Sequence, residues 1–137
     1  MLDRVFPGSL GLGEVDVFLQ AINSDRHSGT LEEVALAILE GRKQLWRWRE
    51  GQSLGIFVSL VNLNDDGTKE FVISGMAGIG LRFAPKRLMA EMERAAKDLE
   101  CDYIVGFVDH PTIKKLYETK LGFEEKYSFM VKEISYG

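Results

Sequence analysis

The spacing of apolar residues changes period several times along this 137-residue chain. Over 14–22, Val15, Phe18, Leu19 and Ile22 recur at helical spacing and predict a short amphipathic helix. A polar loop occupies 23–29. Thr30 with Glu33 then forms a capping-box pattern that opens a second helix. Its apolar stripe is Leu31, Val34, Ala35, Ile38 and Leu39, and Gly41 stands where a helix stop belongs. From Lys43 the period becomes two: Leu45, Arg47 and Arg49 share one face of a half-buried strand, Trp46 and Trp48 the other. A strand over 54–63 and another over 70–75 are joined by Asn64-Asp65-Asp66-Gly67, whose Asp-Gly step tolerates the positive φ of a hairpin. Two helices and an antiparallel meander are thus expected. The lead-in over 1–13 reads equally as an extended segment or a partly ordered arm.

The stretch 71–123 organises the remainder of the chain. A strand pattern leads into GMAGIG (75–80), Pro85 suits the first position of a helix, and Leu88, Met89, Met92, Ala95, Ala96 and Leu99 make that helix's buried stripe. The apolar run over 103–108 reads as a strand covered on both faces. His110-Pro111-Thr112 opens another helix, which Gly122 stops, and residues 126–134 alternate as one final strand, with Tyr127, Phe129, Val131 and Glu133 sharing a face. A strand-helix-strand unit of this length makes parallel strands in one sheet. Gly75, Gly78 and Gly80 let the backbone approach a ligand closely, and exposed amides at a helix start beside Arg82, Lys86 and Arg87 suit an anion. Together these features point to a phosphate-bearing cofactor. The glycines equally suit a bulge and a tight turn, and the basic residues a solvated helix end.

Composition narrows the classes. Apolar residues make up 45% and charged residues 28%, ordinary for one globular domain spanning 1–137. No apolar run approaches the ~20 residues of a membrane span, so no membrane partner is expected, and no secretory signal is visible at the N-terminus. A single cysteine, Cys101, leaves no internal disulfide and makes the cytoplasm the default location. Net charge is −4 with Lys and Arg scattered among acids, which does not support a nucleic-acid footprint. His27 and His110 are the only histidines, so a histidine-rich metal site is excluded.

The element order and the segment TIKKLYETKLGF (112–123) resemble the GNAT superfamily of N-acetyltransferases. That family commonly carries an Asn, a short helix, then Leu-Tyr-Glu-Lys-Leu-Gly-Phe. Leu116, Tyr117, Glu118, Leu121, Gly122 and Phe123 fit, with one extra residue before Leu-Gly-Phe and His110 where Asn is frequent. GRKQLW (41–46) is similar to the strand opening of small GNAT-like proteins of phages and prophages. The family's pyrophosphate loop reads Gln or Arg, two residues, Gly, any, Gly or Ala, directly before the long helix. This chain departs from it: Gly75 replaces the Gln or Arg, and Pro85 lies five positions beyond Gly80.

The resemblance implies an α/β GNAT fold, a mixed twisted sheet with helices on both faces. It implies acetyl-coenzyme A as cofactor and a primary amine, on a small molecule or a protein, as acceptor. Backbone groups of the central strand from Ile73, Ser74 and Gly75 to Gly78, Ile79 and Gly80 would hold coenzyme A, with Arg82, Lys86 and Arg87 near its phosphates. Tyr117 matches the family tyrosine that supplies a proton to the leaving thiolate; a packed tyrosine bonded to the backbone is the alternative. Glu70 is the candidate base, or equally a solvated strand end. Asp109 and His110 suit a helix cap better than chemistry. A non-catalytic binding or assembly protein on the same scaffold is the second reading. An exposed strand edge leaves a homodimer open.

Overall fold

The computed structural model describes residues 1–24, 30–79, 85–106, 124–126 and 129–136. Gly80, Arg82, Asp109, His110, Tyr117, Phe123 and the helix expected after Pro111 lie outside them. The strands are β1 (Leu2–Val5), β2 (Gln44–Glu50), β3 (Ser53–Leu63), β4 (Lys69–Ile79), β5 (Tyr103–Gly106), β6 (Glu124–Lys126) and β7 (Phe129–Glu133). The helices are α1 (Leu12–Ser24), α2 (Leu31–Leu39) and α3 (Pro85–Asp98). Strand order in the sheet is β1-β2-β3-β4-β5-β7-β6. The chain divides into two compact units, Met1–Leu60 with Ile73–Phe83, and Val61–Val72 with Ala84–Gly137.

In the first unit, β1 and β2 pair antiparallel with Leu2 opposite Trp48 and Val5 opposite Leu45. β2 and β3 pair antiparallel from Gln44 opposite Ser59 to Glu50 opposite Ser53. Gly51, at φ 58°, turns the chain between them. The N-terminal lead-in is therefore an edge strand; its four residues are too few to show a period. Leu45, Leu54, Ile56 and Val58 pack with Val17, Phe18, Ala21 and Ile22 of α1 and with Val34 and Ile38 of α2. The expected stripes need correction here. Phe18, Ile22, Val34 and Ile38 do face inward, but Val15, Leu19, Leu31 and Leu39 are exposed, and Val17, Ala21 and Ala37 are buried in their place. Both helices carry apolar residues on two sides, so periodicity alone leaves the inward side undecided.

The other face of β2 holds Trp46 and Trp48, both buried, as the alternation predicts. Trp46 Nε1–H donates to Ser59 Oγ at 2.8 Å, and the Ser59 hydroxyl donates to Gln44 Oε1 at 2.8 Å. These buried polar groups thus satisfy one another in series. At the end of α2, Gly41 (φ 79°) donates to the Ile38 carbonyl and Arg42 to that of Ala37. This is the predicted stop, closed by a left-handed residue.

In the second unit, Asn64 N–H bonds Thr68 O at 2.8 Å and Gly67 N–H bonds Asn64 O at 3.0 Å, with Gly67 at φ 87°. The predicted hairpin is thus a type I turn closed by a left-handed glycine. α3 buries Leu88, Met89, Met92, Ala95 and Ala96 as expected, and Leu99 is half-buried just past its end. That end closes like α2's, but on Glu100 (φ 59°), with Glu100 bonded to the Lys97 carbonyl and Cys101 to that of Ala96. Asp102 N–H bonds the Lys69 carbonyl at 2.8 Å, while Lys69 N–H bonds Asp102 Oδ2 at 2.9 Å. The openings of β4 and β5 therefore lie side by side, as a parallel pair requires. β5 pairs antiparallel with β7, and β7 with β6. The strand expected over 126–134 is β7, shortened to Phe129–Glu133, and Lys126 ends the separate strand β6.

Candidate functional site

The candidate residues fall on β4, on the start of α3 and outside the described residues. β4 runs past its expected end at Gly75 to Ile79, so Gly78, expected in the connection, is a strand residue. Ile73, Ser74 and Gly75 are buried, whereas Gly78 and Ile79 are exposed. The Ser74 hydroxyl donates to the Val58 carbonyl at 3.3 Å. Ile73 and Ser74 thus have only backbone groups to offer a ligand. Ala77 packs against the core cluster that α1 and α2 form with β3. β4 is thereby anchored up to the point where its glycine-containing end emerges.

α3 begins at Pro85, as predicted. Its first turn contains no acid, and Lys86 and Arg87 are exposed there. The positive pole of the helix lies at this end. Glu70 lies half-buried at the opening of β4, and its Oε1 accepts from Asn62 Nδ2 at 2.9 Å. Gly78 lies at the closing end of the same strand.

Sequence reasoning missed one ionic cluster, in the first unit. Glu14 is buried in the first turn of α1. Its Oε1 accepts from Gly11 N–H at 2.8 Å and from Arg47 Nη1 at 3.2 Å. Its Oε2 accepts from Arg49 Nε at 2.9 Å and Nη2 at 2.6 Å. The Gly11 amide bond, opposed by burial and aided by both guanidinium groups, holds the carboxyl below its ordinary range. The signal was present in the alternation: arginines on the same strand face as Leu45 need a carboxylate partner. The cluster satisfies itself and offers no chemistry. Cys101 is fully buried, and burial pushes its thiol pKa up, which disfavours the thiolate. Among the described residues no group of His, Cys, Asp and Glu is placed to hold a metal. No described helix is long and apolar enough to cross a membrane.

No family profile and no curated protein matches this sequence. Solved structures do. An acetyltransferase of the GNAT family from Listeria monocytogenes superposes with a TM-score of 0.56 at 15% identity, covering 97% of this chain and 94% of that one. A spermidine N-acetyltransferase chimera, from Vibrio cholerae SpeG and hSSAT, gives 0.53 at 16% identity over 98% and 94%. A chain of the AtaT–AtaR complex bound to DNA gives 0.57 at 10% identity over 98% and 94%. At these identities the likeness establishes the fold: this chain adopts the mixed α/β GNAT fold.

Proposed function

We propose that the protein transfers an acetyl group from acetyl-coenzyme A to a primary amine. The observation that carries this reading is the match, over nearly the whole chain, to structures of acetyltransferases. The chain's own residues fit the cofactor in two respects. The first turn of α3 has two exposed cations and no acid, as a phosphate group requires. The closing end of β4 is exposed and carries Gly78, which has no side chain to obstruct an approaching ligand.

Acetyl-coenzyme A, when bound, supplies an acetyl group on a thioester. In this reading the backbone of β4 from Ile73 to Ile79, continuing to Gly80, orients the cofactor and polarises its carbonyl. The α3 start with Arg82, Lys86 and Arg87 binds phosphate. Glu70 accepts the proton lost by the amine, and the Tyr117 hydroxyl donates one to the leaving sulfur. The likeness to a spermidine N-acetyltransferase makes spermidine the first acceptor to try.

A second reading, a binding protein without catalysis, is favoured by one specific departure. Gly75 stands where the family's pyrophosphate loop carries Gln or Arg. That another chain of this fold has been solved in a complex with a protein partner and DNA is in keeping with it.

A thermal-shift titration separates the readings. A ligand bound only by the folded state adds about 2.7 kcal/mol at a hundredfold excess over Kd, several degrees of melting temperature. Coenzyme A should give that shift and pantetheine alone should not. The acetylation reading then requires turnover with an amine, lowered in kcat by Tyr117→Phe with cofactor affinity unchanged. No shift at millimolar coenzyme A would remove the enzymatic reading.

A further inference from the structure

α1 and α2 each leave an apolar side uncovered. Val17, Phe18, Ala21 and Ile22 of α1 are packed in the core, yet Leu12, Val15 and Leu19 are 94%, 37% and 38% exposed. Their spacing of three and then four places them along one face of the helix. On α2, Leu36 and Leu39 are 53% and 66% exposed. A helix with apolar stripes on two sides is suited to be covered on both. Single exposed apolar residues need no explanation, but a row of three on one helix does.

Charge identifies what covers them. Residues 12–24 and 30–40 contain Glu14, Asp16, Glu32, Glu33 and Glu40 and no Lys or Arg. Glu14 is neutralised inside the protein by Arg47 and Arg49, and Glu40 pairs with Arg42 at 3.3 Å. Asp16, Glu32 and Glu33 remain exposed on the two helices that carry the bare leucines. A second copy of this face would set acid against acid, since a two-fold contact places each patch on itself. An anionic or neutral lipid surface gains nothing from acidic flanks.

We propose that the outer side of α1 and α2 docks an amphipathic helix of a partner protein. That helix would lay its apolar stripe on Leu12, Val15 and Leu19 and carry lysines or arginines opposite Asp16, Glu32 and Glu33. Affinity comes from the leucines, and orientation and association rate from the acids.

The full chain is titrated, by fluorescence anisotropy, against three synthetic peptides: a Leu/Lys amphipathic helix, its Leu/Glu counterpart, and a scrambled Leu/Lys peptide of equal charge. The Leu/Lys helix should bind, weaken in high salt, and lose about tenfold in affinity when Leu12, Val15 and Leu19 are all changed to Gln. These side chains are exposed, and a thermal melt confirms that the variant folds. A second variant, Asp16→Lys with Glu32→Lys and Glu33→Lys, keeps the leucines and should lose about tenfold as well. The Leu/Glu and scrambled peptides should not bind. Equal binding by either variant, equal binding of the scrambled peptide, or no binding of the Leu/Lys helix overturns the proposal. So does a wild-type dimer that the glutamine variant converts to a monomer, since a second copy would then be the occupant.

Discussion

At the start of α1 the carboxylate of Glu14 is buried between two guanidinium groups and accepts the amide of Gly11. At the start of α3 the exposed side chains are those of Lys86 and Arg87, and no acid stands in the first turn. Both ends present the positive pole of a helix. The chain answers that charge internally in α1, where Glu14 occupies the third position of a half capping box. In α3 it adds to the charge instead. α2 is intermediate, with the neutral Thr30 hydroxyl accepting from Glu33 N–H at 3.2 Å and Glu32 and Glu33 in its first turn. A helix start that carries its own anion is structural, whereas one that gathers cations is suited to an anion from outside.

The largest expected effect comes from breaking the self-contained end. Glu14→Ala should lower stability by about 2–3 kcal/mol in a urea melt. The figure falls below that for a fully buried ion pair because Arg49 is largely exposed and can turn to water. The same carboxylate should show in the pH dependence of the wild type. Its folded pKa is depressed, so its contribution is complete above the unfolded value of roughly 4.3 and is lost as pH falls through the folded value. The stability difference between wild type and Glu14→Ala should therefore shrink in acid and stay constant between pH 6 and 8. A difference that persists below both pKa values would assign the effect to packing instead.

Lys86→Glu would give α3 the anion that α1 already has. The helix should gain about 0.3–1 kcal/mol without ligand, while the melting shift produced by coenzyme A shrinks. If both quantities stay unchanged, the α3 start is a solvated surface and the contrast with α1 has no functional meaning. Thr30→Ala tests the intermediate case and should cost about 1 kcal/mol, with no effect on coenzyme A. A loss of cofactor response in that variant would mean that α2 stability, not the α3 start, controls binding.

Much of this molecule is written in local signals. The hairpin at Asn64–Gly67, the stop at Gly41, the start at Pro85 and the two faces of β2 each depend on a few neighbouring residues. Turn chemistry, positive φ and strand alternation act over that same short range. Of the candidate residues, Lys86 and Arg87 follow the start signal at Pro85, whereas Gly78 was expected in a connection and stands in β4. Tyr117 and His110 fall outside the described residues, so their places rest on the motif alone. Only the tertiary structure decided that the N-terminal residues form an edge strand and that Lys126 belongs to a strand separate from Phe129–Glu133. It alone decided that β4 runs on to Ile79, and that Val17 and Ala21 rather than Val15 and Leu19 face the core of α1. Periodicity sets the repeat of an apolar pattern but not its phase when both sides of a helix are apolar. The phase, like the pairing of a four-residue strand, is settled by contacts between residues far apart in the chain, such as Leu2 with Trp48 and Glu14 with Arg49.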